Sequence, residues 1–164
     1  MKHFSHLLVK SRTFYQHGDV GDFEDLRPQI ANETPETNDN IEHLLRAHDD
    51  AEALYSLGTY YWRHSDPQNA YAYWLEASRR NNPKAQCCLG FCYRNGVGIT
   101  ENILESNMWY TRAAEQGDAE AQYSLGYYLW DETPDDRTEA INWIRRAADQ
   151  GYTRAIAFLR QHNL

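Results

Sequence analysis

A short motif recurs three times along the chain, and its spacing constrains the fold more than any other feature. Each copy reads alanine, three residues, leucine–glycine and an aromatic-rich end: ALYSLGTYY at 53–61, AQCCLGFCY at 85–93 and AQYSLGYYL at 121–129. The copies begin at residues 53, 85 and 121, which is 32 and then 36 residues apart, and a partial fourth begins at Ala155. Periods of about 20 to 50 residues are typical of solenoids, in which each unit packs on its neighbours.

A second recurring segment follows each copy: YWLEAS at 73–78, WYTRAA at 109–114 and WIRRAA at 143–148. Apolar residues four apart, such as Ala53, Leu57 and Tyr61, lie on one face of a helix. Prolines at 67, 83 and 134 mark helix junctions, and glycines at 117 and 151 suit a left-handed residue after a helix end. No run alternates as a strand does. The sequence therefore predicts an all-α chain of helix–turn–helix units.

Glycines at 58, 90 and 126 occupy the same position in the three units. A glycine inside a helix costs about 1 kcal/mol relative to alanine. Its recurrence therefore predicts that a second helix approaches closely at this point. We expect the alanines at 77, 113 and 147 to form the matching flat surface on that helix.

Taken together, these residues resemble the Sel-one-like repeat, a relative of the tetratricopeptide repeat. The unit from Ala85 to Asp118 follows the family pattern most fully, through LG at 89–90, GVG at 96–98, WY at 109–110 and AAEQG at 113–117. Elsewhere Leu129 replaces the family's tyrosine, and Asn81 replaces the closing glycine. The resemblance covers about residues 49 to 160. It implies a right-handed α/α superhelical solenoid with a concave face and an adaptor or scaffold role.

The predicted organisation is a cap, three repeats and a second cap. Residues 1–48 are predicted to form an N-terminal helical cap with a polar loop at 31–40, or alternatively a partner-specific arm. The repeats are assigned to 49–83, 84–118 and 119–152. Residues 153–162 are predicted to form a polar C-terminal capping helix.

Carrying over the tetratricopeptide geometry predicts which side chains line the concave face. They lie two residues before, and two, five and six after, each unit's leucine: Tyr55, Thr59, Trp62, Arg63, Cys87, Phe91, Arg94, Asn95, Tyr123, Tyr127, Trp130 and Asp131. Tyr, Trp and Arg are favoured anchors of protein interfaces. Within this set we favour a binding role for Trp62, Tyr127 and Trp130. Core packing is the more usual role for the aromatics at Tyr60, Tyr61, Tyr93 and Tyr128.

Charge narrows the choice of partner. The net charge is -8 and the pI is about 5.3, and an acidic surface repels phosphate backbones and anionic lipids. We therefore expect a protein or peptide partner, preferably basic, and neither nucleic acid nor membrane. No stretch approaches the roughly 20 apolar residues of a membrane helix, and the first ten residues lack a signal-peptide core. Three clustered cysteines at 87, 88 and 92 are typical of reduced packing residues, so the predicted location is the cytoplasm.

The sequence carries no convincing catalytic motif. It has no His-Glu-x-x-His or Cys-x-x-Cys pattern, and the GVG at 96–98 follows a helix and not a strand. We therefore predict no cofactor, no metal and no catalytic residue. The leading hypothesis is a non-enzymatic interaction module. Two alternatives stay open: a bacterial immunity protein or inhibitor that neutralises a cognate toxin, and a cell-wall or β-lactam-related enzyme, as proposed for cysteine-rich relatives of this repeat.

Overall fold

The computed structural model describes residues 50–134 and 137–164. The helices in this part of the chain are α1 (Ala51–Arg63), α2 (Pro67–Arg79), α3 (Pro83–Asn95), α4 (Ile103–Glu115), α5 (Ala119–Glu132), α6 (Thr138–Asp149) and α7 (Thr153–His162). These described residues contain no strand. Helices α1 and α2, α3 and α4, and α5 and α6 form successive pairs, and each second helix packs on the next first helix. The predicted all-α helical repeat solenoid is confirmed, whereas the expected N-terminal cap at 1–48 lies outside the described residues.

Side-chain caps explain where five of the helices begin. A side-chain oxygen at each of these N-cap positions accepts a hydrogen bond from the backbone N–H three residues later. The five residues are Asp50, Asp66, Asn82, Asn102 and Asp118. Pro67 and Pro83 follow two of these caps as first helical residues, where a missing N–H costs nothing.

The turns between pairs depend on residues with positive φ. Gly117 and Gly151 take φ values of 95° and 85° after α4 and α6. Asn81 takes a φ of 64° at the equivalent place after α2. Asparagine enters the left-handed region more readily than most residues with a side chain. The departure from the family glycine at this position therefore leaves the turn intact.

The three recurring glycines lie where a large side chain of the second helix approaches. A Cβ atom on Gly58 would be 2.4 Å from the Trp74 ring, and one on Gly90 would be 2.7 Å from the Tyr110 ring. These separations are far below van der Waals contact. The second helix therefore packs directly on these glycines through a large side chain, and we call these repeated contacts the glycine seam.

The third contact of the glycine seam differs in detail. A Cβ atom on Gly126 would lie 2.7 Å from both the Ala140 carbonyl oxygen and Ile144 Cγ1. The expected partner of the glycines is therefore wrong: they receive the large side chains of Trp74, Tyr110 and Ile144. A glycine leaves a gap in the helix surface, and a large side chain fills that gap better than an alanine does. The alanines at 77, 113 and 147 lie three residues further on and are fully buried.

Candidate functional site

The predicted site residues all lie on α1, α3 and α5, and we call the surface of these three helices the first-helix face. The structure exposes these residues to very different degrees. Three are exposed: Arg63, Asn95 and Asp131. Six are half-buried: Tyr55, Thr59, Arg94, Tyr123, Tyr127 and Trp130. Three are buried: Trp62, Cys87 and Phe91.

Trp62 and Phe91 connect α1 to α3 in the interior. Their ring centroids are 5.5 Å apart in an edge-on arrangement, and Trp62 also lies 6.2 Å from Trp74. Only 6% of Trp62 and 2% of Phe91 are exposed. Little of either side chain is accessible to a partner, so Trp62 and Phe91 are core residues and not binding residues.

Arg94 connects α3 to α5 through two contacts. Its guanidinium carbon lies 3.8 Å from the centroid of the Tyr128 ring, within cation–π range. One of its nitrogens lies 3.2 Å from a carboxylate oxygen of Glu132. The guanidinium of Arg94 thus already has two interaction partners within the protein. Asn95, the next residue, donates its side-chain amide to the Phe91 carbonyl at 2.9 Å.

Aromatic rings connect α5 to α7 at the other end of the face. Trp130 packs edge-on against Phe158 at 5.3 Å between centroids, and Tyr127 packs on the same ring at 6.0 Å. Tyr123 lies 5.9 Å from Tyr127 and 5.5 Å from Tyr152. We call Tyr123, Tyr127, Trp130, Tyr152 and Phe158 the C-terminal aromatic cluster. Its members on α5 pack against neighbouring rings and are only half-buried.

Sequence reasoning missed part of the cluster. Phe158 is buried, and its position one residue before Leu159 in the partial fourth copy gave a signal that α7 would pack here. Arg137 lies 3.9 Å over the Trp130 ring and donates Nε to the Trp130 carbonyl at 3.1 Å. No spacing rule marks Arg137, because it lies outside the recurring segments of the sequence.

The opposite end of the first-helix face is polar and tightly connected. Lys84 Nζ lies 5.6 Å above the Tyr55 ring and 3.2 Å from a carboxylate oxygen of Glu52. Burial raises the pKa of the Tyr55 hydroxyl, with a further contribution from the neighbouring Cys88. Thr59 donates its hydroxyl to the Tyr55 carbonyl at 3.0 Å. Tyr55 and Thr59 are therefore part of a structural network at this end.

The cysteines lie in the interior between the helices. Cys87, Cys88 and Cys92 are free and buried, and burial raises the pKa of all three thiols above its ordinary value. Asp118, the N-cap of α5, contacts Cys87, and burial raises the pKa of its carboxyl as well. Buried thiols held in the protonated form are poor nucleophiles. Their arrangement is that of core packing.

Two further observations concern ligands and membranes. In residues 50–134 and 137–164, no group of three or more His, Cys, Asp or Glu side chains is placed to hold a metal ion. None of the helices in these two ranges combines the length and apolar character needed to cross a bilayer.

Comparison with known sequences gives the following matches. Three consecutive stretches, residues 51–82, 83–118 and 119–152, match the family model described as the Sel1 repeat, and together they make up more than half of the chain. The chain is 41% identical over 64 residues to a putative sel1-like repeat-containing protein of Acanthamoeba polyphaga mimivirus. It is 32% identical over 116 residues to chitin synthase regulatory factor 3 of Schizosaccharomyces pombe.

These matches cover 39% and 68% of this chain but only 12% of the length of each relative. Among solved structures, the Sel1 repeat protein from Oxalobacter formigenes superposes with a TM-score of 0.63 at 33% sequence identity. That superposition covers 67% of this chain and 47% of the other chain. The relatives thus include viral, eukaryotic and bacterial proteins.

Proposed function

The chain belongs to the Sel1 repeat family, and from this premise we propose that it holds a protein or peptide partner on its first-helix face without catalysing a reaction. Proteins of this family are generally protein-interaction modules. The observation that carries the proposal is the C-terminal aromatic cluster. Tyr123, Tyr127 and Trp130 are fixed by their neighbours and remain partly exposed.

Fixed aromatic rings are efficient anchors for a partner. Tyr and Trp dominate the binding energy of many interfaces, and rings that are already immobilised lose little conformational entropy on binding. Exposed Asp131, the residue after Trp130, adds a hydrogen-bonding group beside the cluster. A polar rim around an apolar centre is the usual anatomy of a protein interface.

The proposed partner is basic. The chain carries a net charge of -8, and charge complementarity speeds association and disfavours acidic competitors such as nucleic acid. We place the interaction in the cytoplasm, because three cysteines with neither a disulfide nor a metal among the described residues fit a reducing compartment. The thiols of the three cysteines are buried and protonated, which is consistent with a non-enzymatic role.

A narrower version of the proposal makes the partner an enzyme whose activity this chain regulates. The support is the similarity of this chain to a chitin synthase regulatory factor of Schizosaccharomyces pombe. An immunity protein that neutralises a toxin would be one special case. This version predicts that adding the purified chain to its purified partner changes the partner's catalytic rate, and an unchanged rate would refute it.

The test uses a variant of the C-terminal aromatic cluster and a matched control from the same helix pair. Tyr127→Ala removes a ring of the C-terminal aromatic cluster, and Trp143→Ala removes a half-buried ring of α6. Partners are captured from cells of the source organism, identified by mass spectrometry and then titrated as purified proteins by calorimetry. We expect Tyr127→Ala to weaken binding by about tenfold or more and Trp143→Ala to leave it unchanged.

Thermal unfolding of both variants checks that the fold is intact. If Tyr127→Ala and the unmodified chain bound the captured partner with equal affinity, the C-terminal aromatic cluster would not be the binding site.

A further inference from the structure

Helix α4, the second helix of the middle pair, presents an apolar strip to solvent. Leu104 is 78% exposed and Met108 is 47% exposed, and the two lie one helical turn apart. Ile99 and Ile103 add exposed apolar surface at the start of the helix. We call Leu104 and Met108, with these two isoleucines, the α4 strip.

The other repeats show that packing does not require this strip. The glycine seam sets the register, because Trp74, Tyr110 and Ile144 occupy equivalent positions. Leu104 and Met108 lie six and two residues before Tyr110. The residues at these two positions are Gln68 and Ala72 in α2, and Thr138 and Asn142 in α6. An exposed leucine and methionine in the middle repeat alone therefore have a reason other than folding.

The strip borders a shallow depression. Its volume is about 590 Å³, and it is lined by Leu104, Asn107, Met108, Thr111 and Arg112. The lining residues span about two helical turns along α4. All five lining residues belong to α4, so the strip is one face of a single helix, along which a second, short helix can pack.

Charge around the strip defines what can bind there. Glu105 and Glu115 lie on α4, and Glu101 lies just before it. Within the described residues, these three carboxylates form no ion pair. Arg112, which lines the depression, lies 4.7 Å over the Trp109 ring and keeps its positive charge. Three carboxylates and one guanidinium thus lie on or beside the strip, and the balance is acidic.

We propose that the α4 strip binds an amphipathic helix of another protein whose apolar stripe is flanked by lysine or arginine. The apolar stripe covers Leu104 and Met108, and the basic residues pair with the surrounding carboxylates. A second copy of this chain fits less well, because it would bring the same acidic residues, and a net charge of -8, to an acidic border. This surface is separate from the first-helix face.

The test uses two synthetic helical peptides of about 18 residues, or about five turns, which is more than twice the length of the strip. One has a leucine stripe flanked by lysines, and the other has glutamates in place of the lysines. Binding of each labelled peptide to the full chain is followed by fluorescence anisotropy. We expect the lysine peptide to bind, and its affinity to fall as salt is raised.

The matched variants come from the chain's own repeats. Leu104→Gln with Met108→Ala installs the two α2 residues at the same register, so the repeat fold tolerates them. We expect this variant to bind the lysine peptide about tenfold or more weakly, because the buried apolar area is lost. Glu105→Gln with Glu115→Gln, which leaves the apolar residues in place, should weaken binding severalfold. Tyr127→Ala on the first-helix face should have no effect, which separates this site from the proposed function.

Three results would overturn the proposal. The first is binding by Leu104→Gln/Met108→Ala that equals that of the unmodified chain, and the second is equal binding of the glutamate peptide. The third is a dimer in analytical ultracentrifugation that Leu104→Gln/Met108→Ala converts to monomer, which would make a second copy the occupant of the strip.

Discussion

In the interior of each helix pair, the chain makes the same kind of contact three times. A glycine of the first helix receives a large side chain of the second helix, as Gly58 receives Trp74 and Gly90 receives Tyr110. On the first-helix face, the residue five positions after each unit's leucine makes a different contact in every unit. Trp62 lies in the core, Arg94 lies over a tyrosine ring and Trp130 packs on α7.

This difference distinguishes positions at which the fold requires one kind of residue from positions at which the residue can vary. At the glycine seam a large side chain of the second helix packs directly over the glycine, so each unit needs a position without a side chain at the same place. The contacts of a residue on the first-helix face depend instead on which side chains the next unit places beside it. Specificity for a partner can therefore be built on that face without altering the seam.

The largest expected effect distinguishes two tryptophans at the same register. Trp62→Ala should lower the free energy of unfolding by about 3–5 kcal/mol, because it leaves a cavity beside Phe91 and Trp74. Trp130→Ala should lower the free energy of unfolding by clearly less, because Trp130 is only half-buried. Urea unfolding of both variants gives the comparison. Equal losses would show that the two ends of the face do not differ as described.

The next effect concerns the glycine seam itself. Gly90→Ala should destabilise the protein by about 1–3 kcal/mol, even though alanine in an open helix would add about 1 kcal/mol of stability. The reason is that the new Cβ would meet the Tyr110 ring at 2.7 Å. Chemical unfolding measures the change, and a stabilised Gly90→Ala variant would contradict the close approach.

A double-mutant cycle sharpens this prediction. Tyr110→Ala should suppress the cost of Gly90→Ala, because all the nearest atoms belong to the Tyr110 side chain. Ile144→Ala should suppress the cost of Gly126→Ala only in part, because the backbone oxygen of Ala140 also lies at 2.7 Å. Equal suppression in both pairs would argue against a backbone contact at Gly126.

A smaller effect is expected for the link between α3 and α5. Arg94→Lys should cost about 0.5–1.5 kcal/mol, because lysine keeps the charge but loses the planar stacking on Tyr128. Arg94→Lys combined with Tyr128→Leu should show coupling between the two sites, measured by thermal unfolding. Strict additivity would mean that the stacked pair contributes no net interaction.

The smallest effects concern two N-caps whose pKa values shift in opposite directions. Burial raises the pKa of Asp118, so its ionisation costs stability as pH rises from about 4 through the folded-state pKa. Asp118→Asn keeps a capping oxygen and removes that cost. The variant should therefore gain stability relative to the unmodified chain as pH rises from 4 to 7 in unfolding experiments. A constant difference across this range would contradict the prediction.

Asp66 provides the comparison. Hydrogen bonds from the Asn69 side chain and backbone lower its pKa, so its ionised form contributes stability above the ordinary carboxyl pKa and loses it as pH falls. Asp66→Asn should be less stable than the unmodified chain at pH 7, and the difference should shrink below about pH 4. If the difference in stability between the two proteins grew as pH falls, the ionised form of Asp66 would not be the stabilising one.

The sequence was informative wherever the structure depends on local or repeated features. Prolines, the glycines at 117 and 151 and the leucine–glycine motif predicted the helices, the helix ends and the repeat family, all of which are confirmed. The partner of the glycines was mispredicted, because helical spacing does not reveal which side chain fills a gap. The burial of Trp62 could not be read either, since it depends on Phe91, a residue 29 positions away in the chain.

The binding role of the first-helix face, the boundaries of the repeats and the capping role of residues 153–162 stay predictions. The structure does contain a helix at Thr153–His162, and its packing on α5 creates the C-terminal aromatic cluster. Sequence spacing placed Tyr123, Tyr127 and Trp130 on one surface. It could not show that α7 would fix those rings in place.

Site-specific photo-cross-linking tests the central claim most directly. A benzophenone amino acid at Asn95 or Asp131 places the reactive group on exposed positions of the first-helix face, and the same group at Arg79 or Asn142 serves as a control on exposed second-helix positions. Our account predicts that the partner cross-links from 95 and 131 and not from 79 and 142. Cross-links confined to 79 and 142 would contradict it.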